Sequence, residues 1–249
     1  PKMAASLIMM RICMPTVAQY ATTAPENSDN YASQVLGQLK KDILNGYFGP
    51  GEKLKMATLK ERYQVGVSPL REALSQLLVE QLVVVENQRG FRVHPISLAE
   101  MKDIYDTRAQ IEALCVRQAI ARGDDNWEAA IVAASHRLNK SGELLAKAAD
   151  DVQEWELRHQ AFHTAIASGC GSATLMQVRR SLYEKASRYR NLWLNQNMSE
   201  RSVYHANRQE HDELVAALLQ RDSEAAINLI SQHLLRPSQL LQQAEPSLF

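Results

Sequence analysis

The stretch from Glu52 to Val93 places two short helix-period segments directly before two strand-like runs, and few small folds accept that order. Leu54, Leu59 and Tyr63 form the apolar side of a first helix; Gln64 to Val67, with Gly66 in the middle, read as a tight turn where a left-handed residue is cheap. Ser68-Pro69 then opens a second helix, with a hydroxyl able to cap and a proline whose missing N–H does no harm in a first turn. Its apolar face is Leu70, Ala73, Leu74, Leu77 and Leu78, which leaves Ser68, Arg71, Ser75 and Gln76 on or near the outer side. Leu82 to Val85 and Phe91 to Val93 read as strands joined by a polar hairpin from Glu86 to Gly90.

Two helices around a short turn, followed by a two-stranded wing, form a device for reading duplex DNA. The second helix fits the major groove with its N-terminal residues at the base edges. An arginine at the wing tip finds the strong negative potential of the minor groove. The predicted DNA-binding residues are therefore Lys55, Thr58, Ser68 and Arg71 from the helices, and Gln88, Arg89 and Gly90 from the wing, with Arg71 the main candidate for a base or phosphate contact. A small protein-interaction module is the alternative for the same stretch.

Charge at first argues against nucleic acid, since 28 basic residues balance 28 acidic ones. The distribution says otherwise. Residues 31 to 94 hold 9 Lys or Arg against 6 Asp or Glu, while residues 95 to 249 hold 17 against 20. A mildly basic reader joined to a mildly acidic partner is compatible with DNA binding, which depends on the local field at the contact face. Cys13, Cys115 and Cys170 are odd in number and lack metal or framework spacing, which predicts a reducing, cytoplasmic setting without disulfides. Arg11 breaks the apolar run from Ala4 to Met10, so residues 1 to 30 read as a flexible leader, and no segment approaches the length of a membrane span.

Apart from the wing the chain reads as helical. Val35, Leu36, Leu39, Ile43 and Leu44 predict a first helix from Tyr31 to Asn45. Beyond the wing, Ser97 and Glu100 have capping-box spacing at the start of a long helix running to about Arg122. Five more helices are expected, over about 126–146, 150–168, 173–195, 199–220 and 223–242. The expected fold is mainly α, with a winged helix-turn-helix over 31–94 followed by an all-helical bundle of six to seven helices over 95–245.

Four histidines stand out by position in that bundle. His159 and His163 are four apart on one helix, so both project from one face. His211 and His233 lie on the apolar sides of the last two helices, where antiparallel neighbours face a common point. Neutral imidazoles suit zinc or nickel. Ordinary buried or surface histidines are the alternative for the same spacing.

Several of these segments resemble a known family. Gly49-Pro50-Gly51-Glu52-Lys53-Leu54, Pro69-Leu70-Arg71-Glu72-Ala73-Leu74 with Leu77, Leu82-Val83, and Arg89-Gly90-Phe91-Arg92-Val93 resemble the N-terminal domain of GntR-family transcription regulators. That family usually carries Ser-Arg-Thr before its proline, where this chain has Gly66, Val67 and Ser68. The resemblance therefore implies the docking mode but not the usual operator sequence, because the arginine that commonly reads a guanine is absent at Val67.

The rest resembles the helical FCD sensor domain of the FadR subfamily, through Asp106 to Glu112 with Arg108, His159-Gln160-Ala161-Phe162-His163, Glu210-His211, and Asp222 to His233. In that domain an Asp and three His commonly hold a metal, and His159 stands at the Asp position. The resemblance thus implies a divalent metal, zinc or nickel, on His159, His163, His211 and His233, with one negative charge fewer. Arg108 occupies the position of an FCD arginine that reaches the cavity, and Arg188 and Arg190 are expected to flank it. A guanidinium pairs with a carboxylate in bidentate fashion, so these three are the predicted effector-binding residues; salt bridges to Glu112 or Glu184 are their structural alternative.

Trp155 to Ile166, with Tyr189-Arg190 and Trp193-Leu194, is similar to the glutarate-responsive repressors of this subfamily, which implies a short dicarboxylate effector. A homodimeric repressor on a palindromic double-stranded operator follows from the resemblance. Two alternatives belong to other classes: a metal-dependent hydrolase using the four histidines, for which no nearby carboxylate has the spacing of a general base, and an acyl-CoA sensor with a structural metal.

Overall fold

The computed structural model describes residues 26–86, 90–142, 150–197 and 201–244. It begins with α1 (Glu26–Leu44), which starts before the expected Tyr31 and takes in the end of the segment read as a leader; residues 1–25 lie outside the described residues. The reading unit continues with β1 (Lys53–Leu54), α2 (Met56–Tyr63), α3 (Val67–Val79), β2 (Val83–Val85) and β3 (Phe91–Val93). Its core joins Val35 and Leu39 of α1 to Leu59 of α2 and to Leu70, Leu74 and Leu77 of α3, closed by Val83 and Val93 of the wing.

Three details differ from expectation. The wing has a third strand, because β1 pairs with β3 through Lys53 opposite Arg92 and Leu54 opposite Phe91; two residues are too short for a period-2 signal. The left-handed residue of the turn is Gln64 (φ 53°, ψ 40°) and not Gly66, which is extended. Gln64 caps α2: its backbone N–H reaches the Lys60 carbonyl and its side-chain Nε2 donates to the Glu61 carbonyl at 2.6 Å, which offsets the strain of positive φ. Finally, α3 starts at Val67 with Gly66 at its N-cap, so Ser68 lies inside the first turn and does not cap.

The second unit contains α4 (Leu98–Arg122), α5 (Asp125–Gly142), α6 (Asp150–Ser168), α7 (Ala173–Asn197), α8 (Arg201–Leu219) and α9 (Ser223–Ala244). Six helices among the described residues match the expected bundle. Ser97 caps α4 by accepting from the Glu100 N–H at 3.1 Å, while the Glu100 carboxylate does not reach back and instead meets Arg188 and Tyr189 of α7. Helix α4 packs on α9, α7 and α6, and the core runs from Met101, Ile104 and Tyr105 through Phe162 and Ile166 to Leu218 and Ile230. Helix α9 continues through Pro237; a proline has no N–H, so the His233 carbonyl four residues earlier lacks its usual helical partner.

Helix α7 connects the two units. Lys40 of α1 lies between Glu184 of α7 (2.7 Å) and Glu80 at the end of α3 (2.9 Å). Lys185 donates to Gln81 at 2.6 Å, Asn191 donates to the Leu44 carbonyl, and Arg188 donates to the His94 carbonyl at 3.2 Å.

Candidate nucleic-acid interface and sensor site

In the reading unit Lys55, Thr58, Ser68 and Arg71 are all exposed, so no tertiary packing competes for them. Lys55 is the N-cap residue of α2, and Arg71 lies one turn into α3, whose first N–H groups have no side-chain cap. A helix start of this kind attracts phosphate oxygens. Ser75 is drawn back to the Arg71 carbonyl at 2.8 Å, which directs its hydroxyl along the helix. Gly90 has φ 105° at the base of the wing, where a side chain would be strained; Gln88 and Arg89 lie outside the described residues. Arg92 braces the wing by donating to Glu86 at 2.7 Å and to the Gly51 carbonyl at 3.1 Å.

In the bundle, the tertiary fold brings His159, His163, His211 and His233 together from α6, α8 and α9, all buried, with one ligand atom from each within 4.8 Å of all the others. The Nε2 atoms of His163 and His159 are 3.1 Å apart, those of His163 and His233 3.2 Å, and those of His211 and His233 3.3 Å. Nitrogens about 2.0–2.1 Å from one tetrahedral ion lie roughly 3.3 Å from each other, and cis neighbours in an octahedron about 3.0 Å, so these three separations are of the size that nitrogens sharing one divalent metal have. Burial pushes the pKa of His159, His163 and His211 well below the ordinary value, helped by neighbouring imidazoles. Burial, with Arg108 and Arg190, lowers His233 to about 3. All four are therefore neutral at pH 7, with lone pairs free for coordination.

Second contacts aim two of the rings. His233 Nδ1 lies 2.8 Å from Glu210, which also pairs with Arg236, and this assigns the Nδ1 proton and leaves Nε2 as the donor atom. Trp155 stacks on His159 with ring centres 4.7 Å apart and an interplanar angle of 13°.

A cavity of about 30 Å³ opens beside the histidines, lined by Arg108, Trp155, His159, Arg190, Asn207, His233, Leu234 and Pro237. Arg108 is 2% exposed; its Nε and Nη2 have no hydrogen-bond partner among the described residues, and burial lowers its pKa despite Glu112 at 3.9 Å. Arg190 donates Nη2 to Glu156, to the Tyr183 hydroxyl (2.9 Å) and to Ser187 (3.1 Å); burial acts to lower its pKa, but Glu156, Tyr183 and Tyr105 together raise it above the ordinary value. Both guanidiniums lie near the Tyr183 ring, Arg108 at 5.3 Å and Arg190 at 4.6 Å.

Arg188 is placed differently from the expectation for an effector ligand. It donates to Glu100 and the His94 carbonyl at the junction between the units and does not line the cavity, because residues two apart on a helix point to different faces. Glu184 likewise belongs to Lys40 and Arg180, and Glu112 is held mainly by Arg179 at 2.8 Å. Trp155, Glu156, Tyr183, Asn207 and Pro237 carry no site assignment in the sequence. Of these only Trp155 and Glu156 give a local signal, four and three residues before His159 and so near the same face.

A winged reading head on a helical bundle with a buried four-histidine cluster is the architecture of a DNA-binding transcription regulator with a sensor domain. Residues 31–93 match the family of bacterial regulatory proteins, gntR family, and residues 103–236 match the FCD domain. The chain belongs to the GntR family and carries an FCD domain. It is 49% identical over 206 residues to the HTH-type transcriptional repressor GlaR of Escherichia coli (strain K12), covering 83% of this chain and 93% of that protein. It is 36% identical to the uncharacterized regulator BphR of Paraburkholderia xenovorans (strain LB400), over 79% of each chain. The fold is shared with Escherichia coli McbR/YncC, at 20% identity, a TM-score of 0.72, and coverage of 86% of this chain and 97% of that one. Among the described residues no helix is long and apolar enough to cross a membrane.

Proposed function

We propose that this regulator is a homodimeric repressor, with reading head 31–94 and sensor 95–245, that leaves a palindromic operator when a short dicarboxylate such as glutarate enters the sensor cavity. The observation that carries this reading is the buried Arg108 guanidinium, which lines the cavity with two nitrogens lacking partners. An unpaired buried cation is costly, and a ligand carboxylate supplies the missing charge and acceptors. Zinc or nickel held by the four histidines would add positive charge beside the cavity, and a metal that takes more than four ligands would accept a carboxylate oxygen as a further one. The GntR relative named as a repressor supports the sign of regulation, and the similarity of Trp155 to Ile166 to glutarate-responsive repressors supports the effector. An acyl-CoA reading is disfavoured by the inward Arg108, since an acyl chain has no group for it. A protein acting on operator DNA works in the cytoplasm.

Release follows from volume. A cavity of about 30 Å³ holds a water or two, so a five-carbon dicarboxylate requires the surrounding helices to part. Arg190 and Tyr183 meet the cavity region from α7, and Glu184, Lys185 and Asn191 of the same helix touch the reading unit. Displacement of α7 is carried to Glu80 and Gln81 at the end of α3, so the two arrangements present the reading heads of a dimer at different spacings. The test is a calorimetric titration of glutarate into zinc-loaded protein, repeated after chelation, with operator release followed in parallel. Saturable binding that requires the metal and lowers operator affinity is expected. No heat in either sample would eliminate glutarate as the effector.

A further inference from the structure

The buried charges around the cavity do not balance. Arg108, Arg179 and Arg190 are at most 4% exposed, and two carboxylates face them, Glu112 and Glu156. Glu112 belongs to Arg179. Glu156, on α6, reaches across to α7, where one of its oxygens takes both Arg190 Nη2 and the Tyr183 hydroxyl.

That ion pair is half made. The second oxygen of Glu156, 4.0 Å from His159 Nδ1, is buried and has no hydrogen-bond partner among the described residues, as is true of Nε and Nη1 of Arg190. A structural arginine–carboxylate pair normally saturates itself by two parallel bonds. Here the carboxylate uses one oxygen and leaves most of the guanidinium edge idle beside the cavity. Exposure also separates the partners, since the Glu156 side chain is 17% exposed against 5% for Arg190. Glu156 is the more exposed of the two and has the shorter way back to water.

We propose that Glu156 is an internal stand-in for the distal carboxylate of the effector, holding the Arg190–Tyr183 seat until a dicarboxylate displaces it. This rests on the carboxylate-sensing reading above and adds the residue that sets its selectivity. The proximal carboxylate is drawn to the histidine cluster and Arg108, and only a molecule with a second carboxylate can contest the seat of Glu156. A monocarboxylate of equal length meets the same cluster but leaves the Glu156–Arg190 pair in place. Glu156 therefore sets both the threshold for dicarboxylates and their distinction from monocarboxylates.

The test uses the zinc-loaded full chain and two acids of equal chain length, glutarate and valerate, titrated into wild type, Glu156→Gln and Glu156→Asp. Removing the competing charge in Glu156→Gln is expected to tighten glutarate binding about tenfold and to leave valerate within about twofold. Glu156→Asp keeps the charge but shortens its reach, and glutarate affinity between the other two is expected. It also decides the matter if Glu156→Gln does not fold. Glutarate binding that is unchanged or weaker in the variants, or an equal shift for both acids, overturns the stand-in while leaving carboxylate sensing intact. Failure of wild type to bind either acid overturns the carboxylate reading itself, and the stand-in with it.

Discussion

The reading head and the sensor bundle place their polar side chains in opposite ways. Every buried polar or charged side chain among the described residues, from Arg108 to Ser238, belongs to the bundle, while the core of the winged helix from Val35 to Val93 is apolar. Of the groups predicted to touch DNA, Lys55, Thr58, Ser68, Arg71 and Gly90 are exposed and have no role in the core. The bundle buries four imidazoles, the guanidiniums of Arg108, Arg179 and Arg190, and the Glu112 carboxylate, several with idle hydrogen-bonding atoms. A reader keeps its surface ready; a sensor is left incomplete so that its ligand completes it. Unsatisfied buried polar groups cost about 1–3 kcal/mol each, which is the free energy a ligand can recover.

The contrast can be broken most decisively by metal removal. Binding at a thousandfold excess over Kd adds about 4 kcal/mol of stability. Chelation of zinc-loaded protein is expected to lower the unfolding temperature by roughly 10 °C, seen by scanning calorimetry as a shift of the bundle transition alone. An identical thermogram before and after chelation would mean that the four histidines hold no metal.

Acid should separate the two units next. The folded pKa values of the histidines lie below the ordinary 6.5, so the unfolded chain binds more protons than the folded one, and stability rises with pH. That stability is complete above about pH 6.5 and is lost progressively below it, down to about 3 for His233. Denaturant midpoints across this window are expected to fall steeply, with Trp127 and Trp155 reporting on the bundle. A flat profile from pH 7 to 5 would contradict neutral buried imidazoles.

A smaller effect is expected at the exposed face of the head. Arg71→Ala should weaken operator binding by about 1–3 kcal/mol at matched salt without changing the unfolding temperature, measured by fluorescence anisotropy. Unchanged affinity would remove Arg71 from the interface. The smallest effect on either binding or folding is expected at the junction: Lys40→Met removes a partly exposed bridge worth at most about 1 kcal/mol. Its signature should be uncoupling, with operator affinity nearly retained but its response to effector reduced. A full response in Lys40→Met would place the coupling elsewhere.

The helices of both units were legible because each has a 3.6-residue apolar stripe and a polar or glycine break, as at Gly123 and at Arg221-Asp222. The wing hairpin was legible from the β-branched run of Leu82 to Val85, but its third strand at Lys53 and Leu54 was not, because pairing to Phe91 and Arg92 is a long-range event. Local chemistry also misassigned the turn. Glycine is the cheapest left-handed residue, yet Gln64 takes that conformation because its own side chain satisfies the end of α2.

By itself the sequence determined the order of elements, the exposed character of Arg71, Lys55, Thr58 and Ser68, and the pairing of His159 with His163, since all of these follow from spacing along one element. Only the tertiary structure decided that His233 comes to 3.2 Å from His163 and His211 to 3.3 Å from His233, that Arg108 and Arg190 reach the cavity region while Arg188 holds the junction, and that Glu156 faces Arg190. The physical reason is that helical periodicity assigns a side chain to a face, whereas the group opposite that face is set by the packing of helices distant in the chain. Arg188 and Arg190 are two residues apart with the same chemistry, and the helices beside α7 give them different tasks.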